Sequence, residues 1–428
     1  MMRKLLLLIL VLSCAFTTLW AQRVVVGLEA NGPDSATKMA HDWRKGNVYK
    51  DIYEKAGFKV ILISQSSKSK LEEALKTYNV THITGCGHGS PTVYTGYQQA
   101  VVLSSSDSAL LAKLQGKHIH LLSCLTAQKL GPAMMQKGAA SYCGYVPSFY
   151  FTWKSANEFF KADAALDKAF SQGKNAPQAY QETIQAFNEL IDYLNKNEPS
   201  GVKNAITDRD GLLCLPKGRE TLDYVLPLEM AAYTLYSKNQ ETNEFVSFAD
   251  FQNLNLRSSY RELSKDDFKN MVIAGYEKLD RNYEIGILGY GKFNREQIID
   301  EIRNETEIGN GLVEVDRHFL QAMENARWSK TFEAKTDAQG CINMSDNFDV
   351  PMTITIKSVK AEWSGQPNSF QNITVIFNNE TLFNGPVQNG NTYNKVLKVQ
   401  KGAASASINA VGGPKNTTVK VTVTFSLG

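Results

Sequence analysis

Residues 83 to 96, ITGCGHGSPTVYTG, set His88 between Gly87 and Gly89 just after an apolar run. Glycine neighbours leave an imidazole uncovered with backbone amides beside it, an environment suited to acid–base chemistry. A second apolar run, KHIHLLSC, ends on Cys124. A cysteine nucleophile needs a nearby base, donors for a developing oxyanion and an accessible thiolate. His88 is the candidate base, Cys124 the candidate nucleophile, and the amides of Gly89 and Cys124 are candidate oxyanion donors. A helix expected to begin near Thr126 would bring its positive end toward the thiolate. Glu29 and Asn31 follow the first strand and are candidates to orient His88. The competing readings are a loop histidine and a core cysteine, a common fate for that residue. Cys86 is read as buried packing. Tyr145, Phe149, Phe151 and Trp153 are candidates for the wall of a substrate pocket, or for core.

These residues need a scaffold that brings two strand ends together. RVVVGL, FKVILI, THITGC, KHIHLLSC and AASYCGY read as strands, and VYKDIYEKAG, SKLEEALKTY, SSDSALLAKLQG and TAQKLGPAMMQKG read as helices between them. Apolar runs with little alternation, joined by helical crossovers, predict a mainly parallel sheet covered on both faces. In such sheets functional groups gather beyond the carboxyl ends of the strands. The one-helix connection between the third and fourth strands makes them neighbours, so His88 and Cys124 share one rim.

An apolar strand ending in His-Gly, followed by one ending in cysteine, resembles the caspase-like cysteine peptidases: gingipains, clostripain, legumains and caspases. The blocks are VTHITGCGHG and HIHLLSC, and the continuation LTAQKLGPAMMQKGAASYCGY is similar to bacterial, gingipain- or clostripain-like members. The resemblance covers roughly residues 23 to 220. It implies a caspase-like α/β fold and peptide-bond hydrolysis through a His88–Cys124 dyad and an acyl-enzyme, without a cofactor. The chain departs from the family at Leu122, where clostripain-like members carry an acidic residue, and its Leu-Ser-Cys replaces the Gln-Ala-Cys or Glu-Ala-Cys of caspases and legumains. The motif therefore does not support basic specificity, although a carboxylate elsewhere, such as Asp107, could supply it.

The remaining sequence sets the context. Residues 1–22 have the order of a secretory signal peptide: Arg3 and Lys4, an apolar block, then Ala21. The competing readings are an anchor helix and a lipidated Cys14. The expected product is secreted, periplasmic or at the cell surface, with no stable membrane span. A net charge of +3 from 46 basic and 43 acidic residues gives no basis for nucleic-acid binding. After the signal peptide five cysteines remain, an odd number, so at least one thiol is unpaired. A metal site built from Cys86, His88, His118, His120 and Cys124 matches no standard zinc spacing, and none is expected.

Residues 154 to 198 read as helical, and RDGLLCLPKG as a further strand. The domain reading is a caspase-like domain over 23–239, a helical region over 240–334 and an all-β sandwich over 335–428, where apolar and polar residues alternate between Asn/Gly turns. The expected partner is a protein or peptide substrate, with the sandwich a candidate for binding the cell surface or a protein. The alternative is a catalytically silent caspase-like domain acting as a surface binding protein through its sandwich.

Overall fold

The computed structural model describes residues 22–32, 34–216, 225–227, 236–238, 245–247, 263–325, 327–350, 354–364, 367–399 and 402–427. The expected signal peptide lies outside these residues, apart from its last position. The chain divides into two compact units, 1–220 with 282–294, and 221–281 with 295–428.

The first unit is built on a six-stranded sheet. Its strands are β1 (Val24–Glu29), β2 (Lys59–Ile63), β3 (Val80–Cys86), β4 (His118–Leu122), β5 (Ser141–Tyr145) and, after two further segments, β7 (Leu212–Leu215), in the order β7-β5-β4-β3-β1-β2. All pairings are parallel except β7 on β5. All six residues of β1, VVVGLE, are buried, as a strand covered on both faces requires. One face packs Leu71 and Ala74 of helix α2 (Lys68–Thr77) and Leu130 and Met134 of α3 (Leu130–Gln136) against Val26, Ile83, Ile119 and Leu121. The other face carries α1 (Ser35–Arg44), which runs on into a π-helical segment, Lys45–Glu54, and the helices α4 (Ala156–Asp163), α5 (Ala165–Ser171), α6 (Ala176–Asn197) and α7 (Val202–Gly211).

The five strands expected up to residue 145 are all present, as is the strand in RDGLLCLPKG. The sheet is mainly parallel and flanked by helices, as the fold class anticipates. Two local expectations need correction. The helix after Cys124 begins at Leu130, because Leu125 adopts a positive φ of 63° and turns the chain first. The region from 240 to 334 is not helical throughout. A hairpin, β8 (Glu284–Ile287) and β9 (Gly291–Asn294), interrupts it and belongs to the first unit, where β8 pairs antiparallel with the short strand β6 (Tyr150–Thr152).

The second unit holds α8 (Lys265–Glu277), α9 (Arg295–Arg303) and α10 (Glu307–Asn325), which bury Phe268, Met271, Ile298, Ile302, Leu312 and Phe319. Eight long strands follow: β10 (Arg327–Lys335), β11 (Ile342–Val350), β12 (Ile354–Trp363), β13 (Ser369–Phe377), β14 (Glu380–Gln388), β15 (Thr392–Val399), β16 (Gly402–Val411) and β17 (Thr418–Leu427). They form two sheets, β10-β17-β12-β15 (with Val225–Pro227 on its edge) and β11-β16-β13-β14. Alternate residues Val419, Val421, Val423 and Phe425 of one face Ile373, Val375 and Phe377 of the other, with the Phe377 and Phe425 rings 6.4 Å apart. This is the alternation of a β-sandwich.

Candidate active site

Register places the two sequence-predicted residues together. In the β3–β4 pair Cys86 lies opposite Leu122. His88 and Cys124 therefore each stand two residues beyond the same rung of adjacent parallel strands. The Gly87 amide donates to the Leu122 carbonyl at 3.3 Å, closing the two strand ends on each other. Gly89 completes the approach, for a Cβ there would meet the Cys124 carbonyl oxygen at 2.2 Å and Ser123 Oγ at 2.3 Å. Only glycine lets the backbones come so near.

His88 is held by a carboxylate that sequence reasoning did not single out. His88 Nε2 lies 2.9 Å from Asp34 Oδ2. Asp34 is the N-cap of α1, and its Oδ1 accepts the Thr37 amide at 2.8 Å. Burial works against the Asp34 charge, but the hydrogen bonds from His88 and Thr37 and the attraction of the imidazole hold its pKa below the usual carboxylate value. An ionised carboxylate only accepts, so Nε2 carries the hydrogen and Nδ1 is the basic nitrogen of the neutral ring. The signal for Asp34 was present in PDSATKMA, a cap residue opening a helix directly after β1.

Glu29 and Asn31 do other work. Glu29 is fully buried, accepting from Arg44 Nε at 3.0 Å and from the Tyr49 hydroxyl. The Asn31 amide donates to the Ser64 carbonyl, and Asn31 lines a surface groove of about 650 Å³ along β2 and α2. Asp107, considered as a source of basic specificity, pairs with Lys68 at 2.5 Å and caps the short helix Ser108–Ala112. Tyr145, Phe149 and Phe151 are fully buried core, while Trp153 is half-buried and stacks on Phe151.

Cys124 is 1% exposed. Its Sγ accepts the Phe149 amide at 3.3 Å and donates to the Leu288 carbonyl at 3.2 Å. Burial pushes the thiol pKa up to about 11, with the Asp208 and Asp34 carboxylates adding to the rise and the Phe149 amide and Ser148 side chain opposing it. Leu288 belongs to the β8–β9 turn. The next residue, Gly289, has φ of +87°, donates its amide to Thr37 Oγ1 at 3.1 Å, and lies so close to His88 that a Cβ there would meet Nδ1 at 2.8 Å. The turn thus touches both candidate residues, His88 and Cys124. Local sequence held no sign of this, because β8 arrives from far along the chain.

Beneath the rim lies a buried ionic cluster. His120 sits between two carboxylates, Nδ1 at 3.1 Å from Asp167 and Nε2 at 3.1 Å from Asp163. Burial favours the neutral ring, but the two carboxylates outweigh it and raise the pKa to about 9. Arg44 reaches the same carboxylates and donates to Thr84 Oγ1, while Tyr53 and Tyr145 donate to Asp167 and Asp163. Among the described residues these three, His120, Asp163 and Asp167, are the grouping with metal-ligand spacing. The donor set does not fit a metal. Both imidazole nitrogens carry hydrogens toward carboxylates, and the guanidinium already supplies a cation at the oxygens. Of the other residues considered for a metal, His118 Nδ1 pairs with Ser141 Oγ at 2.9 Å and Cys86 is buried.

Cys143 and Cys214 form a disulfide between β5 and β7, and among the described residues Cys86, Cys124 and Cys341 are free thiols. The wide spacing of the cysteines gave no hint of this pair. It is set by the antiparallel register that places Cys214 opposite Cys143.

No protein-family model matches the chain, and no curated protein matches it. Among solved structures, one described as the structure of a protease aligns over 53% of this chain and 52% of its own, with 14% identity and a TM-score of 0.35. The chain thus spans about half the length of that structure. An inactive zymogen C11 protease from Parabacteroides distasonis aligns over 68% of this chain and 97% of its own, with 11% identity and a TM-score of 0.22. A carbohydrate-binding module, CBM36, aligns over 23% of this chain and 90% of its own, with 14% identity and a TM-score of 0.15. At these scores none of the three assigns an activity or a ligand to this chain.

Proposed function

We propose that the chain is an exported cysteine endopeptidase working through Cys124 and His88. The observation that carries this reading is the β3–β4 register, which sets both residues beyond one rung with Asp34 on the far nitrogen of the imidazole. His88 Nδ1 takes the Cys124 proton, and the thiolate attacks the carbonyl carbon of a peptide bond. The Gly89 and Cys124 amides receive the oxyanion. Collapse of the tetrahedral adduct breaks the C–N bond as His88 returns the proton to the leaving amine. Water then attacks the thioester, giving its proton to His88, and the acid departs with the thiol restored. Asp34 keeps the ring oriented and steadies the imidazolium in both halves. No step calls on a cofactor.

Export is supported by the residue order at 1–22 and by the Cys143–Cys214 disulfide, a bond that persists in oxidising compartments. Among the described residues no helix is long and apolar enough to cross a membrane. The C-terminal sandwich is assigned to attachment, at the cell surface or to a protein partner.

One observation favours a second reading. The buried Cys124 thiol, with its raised pKa, is what a catalytically silent caspase-like domain acting as a surface binding protein would also show. Incubating the chain with a peptide library and mapping products by mass spectrometry separates the two. The peptidase reading expects cleavage that disappears in Cys124→Ala and His88→Ala while both variants still fold. Absence of cleavage from the native chain under all activation conditions favours the silent domain.

A further inference from the structure

The chain's own β8 runs antiparallel to β6, with Ile285, Gly286 and Ile287 opposite Thr152, Phe151 and Tyr150. The ladder extends beyond the strand at both ends: the Trp153 amide donates to Glu284 and the Leu288 amide to Phe149. At the next position Cys124 enters. The Phe149 amide, which would continue the ladder, points instead to Sγ, and Sγ donates to the Leu288 carbonyl. Immediately after that carbonyl, Gly289 lies against His88. An extended peptide added to β6 is therefore delivered with one carbonyl at Cys124 and the following residue at His88, the positions a peptide substrate of this dyad must take.

We infer that Glu284–Gly289 occupies the substrate cleft as a built-in pseudosubstrate, and that the substrates it stands in for are extended peptides with an apolar, leucine-like residue immediately before the cleaved bond. The inference rests on the peptidase reading for its substrate half only. Leu288 is fully buried, as are Ile285 and Ile287, so the positions they fill are dry and apolar. Among the sequence departures, Leu122 replaces the acidic residue of clostripain-like peptidases, which agrees with a site that does not select a cation. The occupant is held as a plug. The thiol hydrogen bonds to the carbonyl oxygen, the Gly289 amide is taken by Thr37 Oγ1, and the Gly289 backbone is left-handed. Displacing the hairpin frees the cleft, so the apparent activity scales with the fraction of open chain.

Gly286 offers a way to displace the plug without touching the dyad. A Cβ there would fall 2.1 Å from the fully buried Phe151 ring, so the side chain of Gly286→Val forces β8 and that ring apart. The native chain and Gly286→Val are compared in two assays: iodoacetamide alkylation of Cys124 followed by mass spectrometry, and turnover of Ac-Ile-Gly-Ile-Leu and Ac-Ile-Gly-Ile-Arg aminocoumarin amides. Alkylation of Cys124 is expected to rise about tenfold or more in the variant, and the leucyl substrate to be turned over about tenfold faster than the arginyl one. Unchanged alkylation overturns the plug, and equal or preferred arginine overturns the substrate class. Faster alkylation with neither substrate cleaved would sustain the plug while removing the peptidase reading and the substrate class with it. If Gly286→Val does not fold, Leu288→Asp, which puts a charge in the same dry position, is judged by the same outcomes.

Discussion

Asp34 Oδ2 stands 2.9 Å from His88 Nε2 while Oδ1 of the same carboxylate caps helix α1 through the Thr37 amide. One side chain thus ties the start of a helix to the candidate base. The two tasks separate by substitution. Asparagine caps a helix as well as aspartate does, so Asp34→Asn should leave thermal stability nearly unchanged. It loses the ionised acceptor, and kcat/KM should fall by about 10²- to 10⁴-fold with a shifted pH profile. Asp34→Ala should lose activity similarly and cost about 1 kcal/mol in addition. Thermal unfolding alongside the pH dependence of turnover checks both. An Asp34→Asn chain of native activity would remove Asp34 from the mechanism.

The ionic cluster under the rim makes stability depend on pH. His120 is raised from the ordinary imidazole value of 6.5 to about 9 in the folded chain, so the folded state holds its proton more tightly than the unfolded one. The stabilisation is fully present below pH 6.5 and is lost as pH rises through 9. Urea midpoints measured across that window should fall with rising pH. His120→Leu should remove this dependence and destabilise by about 3–5 kcal/mol, because Asp163 and Asp167 lose a buried partner.

The Cys143–Cys214 bridge joins residues 71 apart in sequence and closes the loop that carries α4 to α7. Restricting the unfolded chain by such a loop is worth about 2–4 kcal/mol. Reductant should therefore lower the denaturation midpoint of the native chain and leave that of a Cys143→Ala, Cys214→Ala double variant unchanged. Equal sensitivity in both would place the effect of reductant elsewhere.

What the sequence could reveal follows from which constraints are local. The strands of the parallel sheet were legible because burial on both faces demands continuous apolar runs such as VVVGL and HIHLL. Their ends marked His88 and Cys124. Asp34 carried a local cap signal, but its second contact depends on how α1 sits over the β3 end, and nearer residues, Glu29 and Asn31, drew the expectation instead. The pairing of Cys143 with Cys214, and of β8 with β6, depends on register between distant segments. No spacing rule reports that. The composition of 240–334 is helical on average, and a four-residue hairpin strand such as EIGI is too short to alter such an average.

The most direct measurement of the central claim is covalent capture of Cys124. The full chain is incubated for hours at neutral pH with a peptidyl acyloxymethyl ketone bearing leucine at the reactive end, then digested and mapped by mass spectrometry. A His88-activated nucleophile predicts one adduct, on Cys124 and not on Cys86 or Cys341, formed about 10²-fold more slowly in His88→Ala. An adduct that forms on Cys124 equally fast in His88→Ala, or no adduct on Cys124 even in the Gly286→Val chain, would contradict it.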